Sequence, residues 1–177
     1  MNAFCRDIQE FHQKFELPPQ NVPGFLSPEY TKMRLDFLQE ELMELVHACG
    51  FKKVYDSDTY WLSGTWQKAL SATNLHEALD ALVDLQYVLL GTAYLMGFFK
   101  EARLVEEVTE DPDSLPRPVE RFTTIFEEAW ARVQKANMLK VRAKSADESK
   151  RKSSFDVVKP AGWKAPDFTD LLNIERK

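Results

Sequence analysis

Two acidic segments carry the side chains that are best suited to hold a cation. The first contains Glu40, Glu41 and Glu44, within a stretch whose pattern predicts a helix. Glu41 and Glu44 are three residues apart, so they project from one helix face and lie within reach of each other. Like charges at this spacing repel, and a cation between them would reverse the sign of that energy. Carboxylate oxygens are the ligands that Mg²⁺ takes in proteins.

The second acidic segment contains Glu77, Asp80 and Asp84, whose spacings of three and four place them on one helical stripe. The residues around them, 79–96, are mostly apolar. Acids in an apolar helix need water, an ion pair or a metal, because burying an unpaired charge is costly. Two helices that pack with these stripes together would form a divalent-metal site. The alternatives are two solvated faces, and a capping box between Asn74 and Glu77 at a helix start.

These segments require helices to position them, and the apolar periodicity predicts an all-α fold. We expect a bundle of four main helices, over residues 3–16, 27–48, 74–98 and 119–141. Ser27 and Pro28 are a typical helix start, and Asn74 caps the third helix. The predicted inward residues are Phe4, Ile8, Phe11 and Phe15 of the first helix, Leu35, Leu38, Leu42 and Leu45 of the second, and Phe122, Ile125, Phe126, Ala129, Trp130 and Val133 of the fourth.

The segments between and after these helices are predicted to be less regular. Residues 51–73 read as irregular with a short helix at 65–72, and residues 106–118 as a loop. Residues 1–145 then form the bundle domain, and 146–177 form a C-terminal tail that packs near the site. Residues 143–154 are polar and charge-rich, which predicts a mobile segment, and 168–174 favours a last short helix. The aromatic residues Tyr55, Tyr60, Trp61 and Trp66 either stack on a base or cover one end of the bundle.

Composition limits the function classes. The chain has 177 residues, 44% of them hydrophobic and 29% charged, which is typical of a soluble globular protein. A net charge of −5 argues against binding to a nucleic acid polymer. Cys5 and Cys49 lack metal or redox spacing and predict free thiols in a reducing cytoplasm. The start lacks signal-peptide character, and 81–99 reads as a buried core helix, so we expect no membrane contact.

Several cationic and polar residues are candidates for phosphate contact, each with a structural alternative. His12 is either a surface or cap histidine or a ligand. Arg34 lies seven residues before Glu41, so it either reaches the acidic cluster or forms an ion pair within its helix. Asn137 and Lys140 share a helix face with Lys144. That face either binds phosphate or simply suits the negative end of the helix dipole.

The two acidic segments resemble those of a known superfamily. The segment 40–44, Glu-Glu-Leu-Met-Glu, and the segment 80–93 resemble the all-α nucleotide pyrophosphohydrolases, which include MazG, the phosphoribosyl-ATP pyrophosphohydrolases and the dimeric dUTPases. Segments 8–15, 136–140 and 159–163 are similar to the MazG-like, phosphoribosyl-ATP-pyrophosphohydrolase-like subgroup of bacteriophages and bacteria. The resemblance covers nearly the whole chain.

The resemblance implies a dimer or tetramer that uses Mg²⁺, with Mn²⁺ as a substitute, to cleave between the α- and β-phosphates of a nucleotide. Glu41 and Glu44 match the metal ligands, and Glu40 matches the acid that orients or deprotonates the attacking water. The second acidic motif matches ambiguously, and we assign Asp80 and Asp84 to the metal with Glu77 as the alternative. The substrate-binding residues that the resemblance and the patterns above indicate are Arg34, Tyr87, Asn137, Lys140, Lys159, Trp163 and His12.

The expected function is therefore a Mg²⁺-dependent (d)NTP pyrophosphohydrolase that acts on the cytoplasmic dNTP pool and releases a monophosphate and pyrophosphate. A dGTP-preferring phage enzyme is one version of it, suggested by the subgroup and by the aromatic residues of 51–73. One alternative is a non-catalytic nucleotide-binding helical module. The other is the histidine-pathway hydrolase that acts on phosphoribosyl-ATP.

Overall fold

A computed structural model describes residues 2–54, 65–69, 72–108, 117–153 and 155–172. The all-α prediction is confirmed, because four long helices dominate these residues and the strands form only small antiparallel pairs. The chain divides into two compact units, Asn2–Gly97 and Phe98–Lys177.

The first unit consists of three helices and one strand pair. Its elements are α1 (Ala3–Lys14), α2 (Pro28–Ala48), β1 (Phe51–Val54), β2 (Thr65–Lys68) and α3 (Leu75–Leu95). The long helices α2 and α3 pack side by side, and α1 packs on α3. These three helices confirm the predicted ones within a few residues at each end.

Side-chain caps explain where the helices of the first unit begin. The Asn2 side chain accepts a hydrogen bond from the Cys5 backbone N–H at 2.9 Å. Ser27 Oγ accepts one from the Tyr30 N–H at 3.2 Å, with proline in the first turn. The Asn74 side chain accepts from the first two free N–H groups of α3. Each cap satisfies donors that have no partner within the helix, so the sequence signal was sufficient here.

The predicted short helix at 65–72 is wrong over its first half, because Thr65–Lys68 forms a strand. This strand pairs antiparallel with β1, with Phe51 opposite Lys68 and Val54 opposite Thr65. The reason is that β-branched and aromatic residues favour a paired strand when a partner is nearby, and a four-residue segment is too short to show helical periodicity. The predictions for Tyr55, Tyr60 and Trp61 lie outside the described residues.

The buried residues of the first unit are mostly small side chains of α3, together with side chains along one face of α1. Ile8 is 1% exposed, as predicted, but Phe4, Phe11 and Phe15 are exposed, so those three predictions are wrong. Leu35 and Leu42 of α2 are also exposed, against prediction. The buried residues of α3 are Ala78, Ala81, Gly91, Ala93, Tyr94 and Leu95. Small residues let the helices approach closely, which leaves the large apolar side chains of α2 and α3 facing outwards.

Helix α3 is long and apolar enough, by length and composition alone, to cross a membrane. Its most apolar window has a mean hydropathy of 1.2, and 39% of that window is buried. The core helix of a soluble protein passes the same test. The helix contacts both α1 and α2, but it is only partly buried, whereas we predicted a buried core helix.

The second unit begins with a two-stranded ladder that leads into the fourth long helix. Its elements are β3 (Glu101–Val108), β4 (Arg117–Thr124), α4 (Ile125–Met138), β5 (Val141–Arg142), a 3₁₀ turn (Ala146–Glu148), β6 (Val157–Val158) and α5 (Thr169–Leu172). The strand pair β5–β6 joins residues on both sides of position 145, which is the predicted boundary between the bundle domain and the C-terminal tail. The predicted last helix is confirmed over Thr169–Leu172.

The start of α4 corrects two predictions. The helix begins at Ile125 rather than 119, because 119–124 continues strand β4, and the predicted loop 106–118 contains strand residues at both ends. Thr124 Oγ1 accepts from the Glu127 N–H, and the Glu127 side chain accepts from the Thr124 N–H, which forms a capping box at the true start. Trp130 is 66% exposed, so its predicted inward position is wrong.

Helix α5 is attached to α4 by a chain of ion pairs. Arg132 donates two hydrogen bonds to the Asp170 carboxylate, at 2.6 and 2.7 Å, and a third to Glu128 at 2.8 Å. Arg121 donates to the other Glu128 oxygen at 2.6 Å. Burial disfavours the charged form of Glu128, but the hydrogen bonds from Arg132 and Arg121 outweigh it and lower its pKa. This network fixes the last described residues to the second unit.

Candidate active site

The acidic residues lie on the two longest helices of the first unit. On α2, Glu41 is half-buried, with Glu40 and Glu44 exposed beside it. On α3, Asp84 is half-buried, and Asp80 is exposed one turn away. Helices α2 and α3 pack against each other, and the charges of Asp80 and Asp84 on α3 act on Glu41 of α2.

The pKa of Glu41 depends on charges from both acidic segments. Burial raises the pKa of Glu41, and the negative charges of Glu44, Asp84, Glu40 and Asp80 raise it further. Two of these four neighbours are on α2 and two are on α3. A carboxylate surrounded in this way is costly to ionise, and a cation would remove that cost. Glu77, at the start of α3, is not among the charges that raise this pKa.

The oxygen atoms of these carboxylates suit a hard divalent ion, although they do not form a complete ligand set. Among the described residues, no three His, Cys, Asp or Glu side chains stand close enough together to form a ready ligand set. All five acids offer oxygen, which Mg²⁺ and Mn²⁺ prefer, and no soft ligand intervenes in the stripe. The residues fit a magnesium ion by the chemistry of their oxygen donors.

Arg34 joins α2 to α3 beside the acidic residues. Its Nε donates to Thr92 Oγ1 at 3.0 Å, and its Nη2 donates to the Val88 carbonyl oxygen at 2.6 Å. Thr92 also donates to the same carbonyl, at 2.8 Å. Burial lowers the pKa of Arg34. The observed partners hold the helix pair together, and the substrate-binding role of Arg34 stays a prediction.

His12 is buried, so its predicted surface or cap position is wrong. It is 2% exposed, and its Nδ1 donates to the Ile8 carbonyl oxygen at 2.7 Å, which assigns the proton to that nitrogen. Burial lowers the pKa of His12, the bond to Ile8 opposes this, and the nearby Arg34 charge lowers it further. A Cβ on Gly91 would lie 3.0 Å from both Arg34 Nη2 and His12 Cε1. Any larger residue at this position, where α1, α2 and α3 meet, would have to displace Arg34 or His12 by a few tenths of an ångström.

Tyr87 lies on α3 one turn beyond Asp84 and packs against α1. Its ring meets that of Phe11 edge to face, with centres 5.3 Å apart. Burial raises the pKa of Tyr87, and the carboxylates of Asp7 and Glu10 raise it further. The hydroxyl is therefore protonated at neutral pH and can donate a hydrogen bond to an anion.

The second unit brings three of its four predicted substrate-binding residues together. The Lys159 Nζ lies 4.2 Å from the centre of the Trp163 ring, and the Lys140 Nζ lies 5.7 Å from it. Trp163 Nε1 donates to the Ala136 carbonyl oxygen at 2.7 Å, which fixes the ring against the end of α4. The Asn137 side chain is exposed in the last turn of α4. Two ammonium groups are thus held over one indole.

Comparison with known proteins identifies the family. The family model described as phosphoribosyl-ATP pyrophosphohydrolase matches residues 8–111, which is more than half of the chain and includes both acidic segments. The chain belongs to the phosphoribosyl-ATP pyrophosphohydrolase family. This match confirms the resemblance to the MazG-like superfamily. The matched family consists of pyrophosphohydrolases, which are hydrolases that act on acid anhydrides. No curated protein matched the sequence.

The matched range separates the candidate residues into two groups. The acids, Arg34, Tyr87 and His12 lie within the part that the phosphoribosyl-ATP pyrophosphohydrolase family shares. Asn137, Lys140, Lys159 and Trp163 lie beyond it. Sequence patterns did not single out Thr92, because its importance comes from Arg34 on another helix. Gly91 was predicted to allow a close approach or to end the helix, and the structure places it in close contact with Arg34 and His12.

Proposed function

We propose that the protein is a Mg²⁺-dependent nucleoside triphosphate pyrophosphohydrolase, which converts a (d)NTP and water to a (d)NMP and pyrophosphate. The observation that carries the proposal is Glu41, which lies among four further carboxylates from two packed helices. Such a concentration of charge stores repulsion that only a cation or protons relieve. Family membership supports the class of bond, an acid anhydride between phosphates.

The metal would be held by Glu41, Glu44, Asp80 and Asp84, with Glu77 as the alternative at the start of the stripe. When bound, Mg²⁺, or Mn²⁺ in its place, supplies charge neutralisation for the phosphates. Glu40 accepts a proton from the attacking water as the water oxygen bonds to the α-phosphorus. The bond from that phosphorus to the oxygen bridging the β-phosphate breaks, and pyrophosphate departs with the electron pair. Tyr87 donates its hydroxyl to a phosphate oxygen, and the phosphate-binding roles of Asn137, Lys140 and Lys159 stay predictions from the sequence.

The substrate that we propose first is a deoxynucleoside triphosphate, with dGTP as the leading candidate. Its support is the subgroup resemblance and the aromatic residues of 51–73. The second candidate is phosphoribosyl-ATP, which the description of the matching family favours. Both substrates would be cleaved at the same α–β anhydride bond, so one set of residues serves either.

We also propose that a second copy of the chain covers the exposed apolar face of α3, giving a dimer or a tetramer. Leu79 is 63% exposed, and Leu82, Val83 and Leu89 on the same helix are also exposed. A patch of this kind on a soluble protein marks an interaction surface. The assembly would be cytoplasmic, with neither a membrane nor a nucleic acid polymer as a partner.

Product analysis tests the proposal. The purified chain is incubated with the eight common nucleotides and with phosphoribosyl-ATP, in Mg²⁺ and in chelator, and monophosphate and pyrophosphate are quantified. We expect equal amounts of the two products in Mg²⁺ and none in chelator. The Glu41→Gln variant should lose turnover by at least about 100-fold, whereas Glu29→Gln, at the far end of α2, should retain it. Binding without turnover of any substrate would instead indicate a nucleotide-binding module.

A further inference from the structure

A cleft of about 470 Å³ lies in the first unit, where the end of α1 and the segment after it meet the end of α3. Its lining combines aliphatic carbon with three side chains that carry polar atoms, and these residues are Leu17, Pro18, Pro19, His12, Glu16 and Tyr94. We propose that this cleft binds a small aromatic amine, which has a cationic group, an apolar ring and an uncharged N–H group. The proposal gives His12 a ligand other than the nucleotide.

Backbone hydrogen bonds fix both walls of the cleft. At the end of α1, the Leu17 N–H donates to the His12 carbonyl oxygen at 2.8 Å, and the Glu16 N–H donates to the carbonyl oxygen three residues earlier at 3.2 Å. These two bonds form a Schellman motif, in which the residue after the helix is left-handed, and Glu16 has a φ of 55°. The Gln20 N–H donates to the Leu95 carbonyl oxygen at 3.0 Å, which joins the segment to the end of α3. The lining is therefore formed before a ligand arrives.

His12 supplies an acceptor nitrogen to which no described residue donates. Its side chain is 2% exposed, and Nδ1 is the donor to the Ile8 carbonyl oxygen, so Nε2 is a hydrogen-bond acceptor. Among the described residues, every side-chain nitrogen or oxygen atom that is closed to solvent has a hydrogen-bond partner, whereas Nε2 has none. Nε2 is therefore open to the cleft that His12 lines. An N–H group of a ligand would satisfy this otherwise buried acceptor.

Glu16 supplies the negative charge of the site. Its side chain is exposed, and no cation in the described ranges forms an ion pair with it. Lys14, two residues earlier, lies instead over the Phe15 ring, 5.4 Å from its centre. The charge of Arg34 acts on His12 and opposes a second cation at Nε2. The cationic group of the ligand therefore belongs at Glu16, and its uncharged N–H belongs at His12.

The rest of the lining suits an apolar ring. The Tyr94 side chain is 5% exposed, and its ring centre lies 4.8 Å from that of His12. Leu17, Pro18 and Pro19 add aliphatic surface. A flat aromatic ring buries a large apolar area on such a surface, and a volume of about 470 Å³ lies in the range of clefts that hold small molecules. The net charge of −5 of the whole chain also favours a cationic ligand over an anionic one.

The cleft is separate from the acidic residues of the candidate active site. Asp84 and Tyr94 are both on α3, ten residues apart, which corresponds to about 15 Å along the helix. None of the five acids that are candidates for the metal and the water lines the cleft. The inference therefore goes beyond the proposed function and does not depend on it.

Titration of the full chain with tryptamine, followed by backbone-amide NMR in the presence of a chelator, tests the proposal. We expect the signals that move to be those of residues 12–17 and Tyr94. Two analogues separate the contacts, because tryptophol replaces the ammonium group with a hydroxyl and the benzofuran analogue replaces the indole N–H with oxygen. Each analogue should bind about tenfold more weakly than tryptamine, since each lacks one of the two hydrogen bonds that the protein offers.

A pair of variants tests the contact with the carboxylate. Glu16→Gln should weaken the binding of tryptamine about tenfold and that of tryptophol less than about twofold, because only tryptamine carries the charge. The matched control is Glu10→Gln, because Glu10 is also an exposed acid of α1 and does not line the cleft. Its affinity for tryptamine should stay within about twofold of the wild type. Both side chains are exposed, so both variants should fold.

The outcomes are distinct. Equal affinities for the three compounds, equal effects of the two variants, or signal changes that lie away from the cleft overturn the inference. Displacement of tryptamine by a deoxynucleoside triphosphate also overturns it, because the cleft would then belong to the substrate site. Turnover of a nucleotide in Mg²⁺ without tryptamine binding refutes only the cleft, and tryptamine binding without turnover refutes only the proposed hydrolysis.

Discussion

Replacing Glu41 by Gln should stabilise the protein when no divalent ion is present. The substitution keeps the shape of the side chain and removes a charge whose ionisation is opposed by burial and by four neighbouring carboxylates. Glu44, the neighbour at helical spacing, costs about 0.2–0.5 kcal/mol, and with burial and the charges from α3 the total relief is about 1 kcal/mol after solvent screening. For a chain of this size, that corresponds to a rise in melting temperature of about 2–4 °C.

The pH dependence of this gain has a definite sign. The pKa of Glu41 is raised above its ordinary value of 4.5, so the folded state holds the proton longer than the unfolded state does. The contribution of Glu41 to the stability of the wild type therefore falls as pH rises from that ordinary value through the raised one. Glu41→Gln lacks this loss. The difference in the free energy of unfolding between the variant and the wild type should therefore grow over this acidic range and persist at neutral pH.

Added Mg²⁺ should reverse the order of the two proteins. A ligand at ten times its dissociation constant stabilises the folded state by about 1.4 kcal/mol, and the variant should gain much less. Thermal unfolding followed by circular dichroism, in chelator and across a Mg²⁺ titration, measures both effects. The control Glu29→Gln removes an acid from the first turn of α2, so it should lower stability only slightly. It should respond to Mg²⁺ as the wild type does. A Glu41→Gln protein that is less stable in chelator, or equally stabilised by Mg²⁺, would refute the reasoning.

Three further outcomes are expected. Gly91→Ala should lower the free energy of unfolding by about 1–3 kcal/mol, because its Cβ would meet Arg34 and His12 at 3.0 Å; a neutral effect in urea unfolding would contradict the tight helix junction. Because burial lowers the pKa of His12 below 6.5, wild-type stability should fall as pH drops below that value, and His12→Gln should flatten this dependence in unfolding titrations. Leu79→Glu should shift the mass measured by light scattering to that of one chain, and a wild type that already has this mass would rule out the proposed assembly.

Local signals predicted the helices of the first unit and the spacing of its acids. Ser27 and Asn74 cap helices through bonds to residues two or three positions away, so the information needed is contained in the neighbouring sequence. The same is true of the acidic stripes, whose residues share a face at spacings of three and four. The interaction of Glu41 with Asp80 and Asp84 is the part that required α2 and α3 to pack.

The errors occurred where pairing partners are distant. Thr65–Lys68 is a strand because Phe51–Val54 lies beside it, and 119–124 is a strand because β3 does. Neither partner can be recognised from the helix-like or proline-containing segment alone. His12 is buried because Arg34 and Gly91, on other helices, surround it.

The hydrogen bonds from Arg34 to Val88 and Thr92 determine how far α3 can slide along α2. A shift of one helical turn, about 5.4 Å, would break both bonds and carry Asp84 away from Glu41 by the same distance. Arg34 is seven residues from Glu41, or roughly 10 Å along the helix. A substitution at Arg34 would therefore change the affinity of the proposed metal site through the alignment of the two helices, without any alteration of the carboxylates themselves.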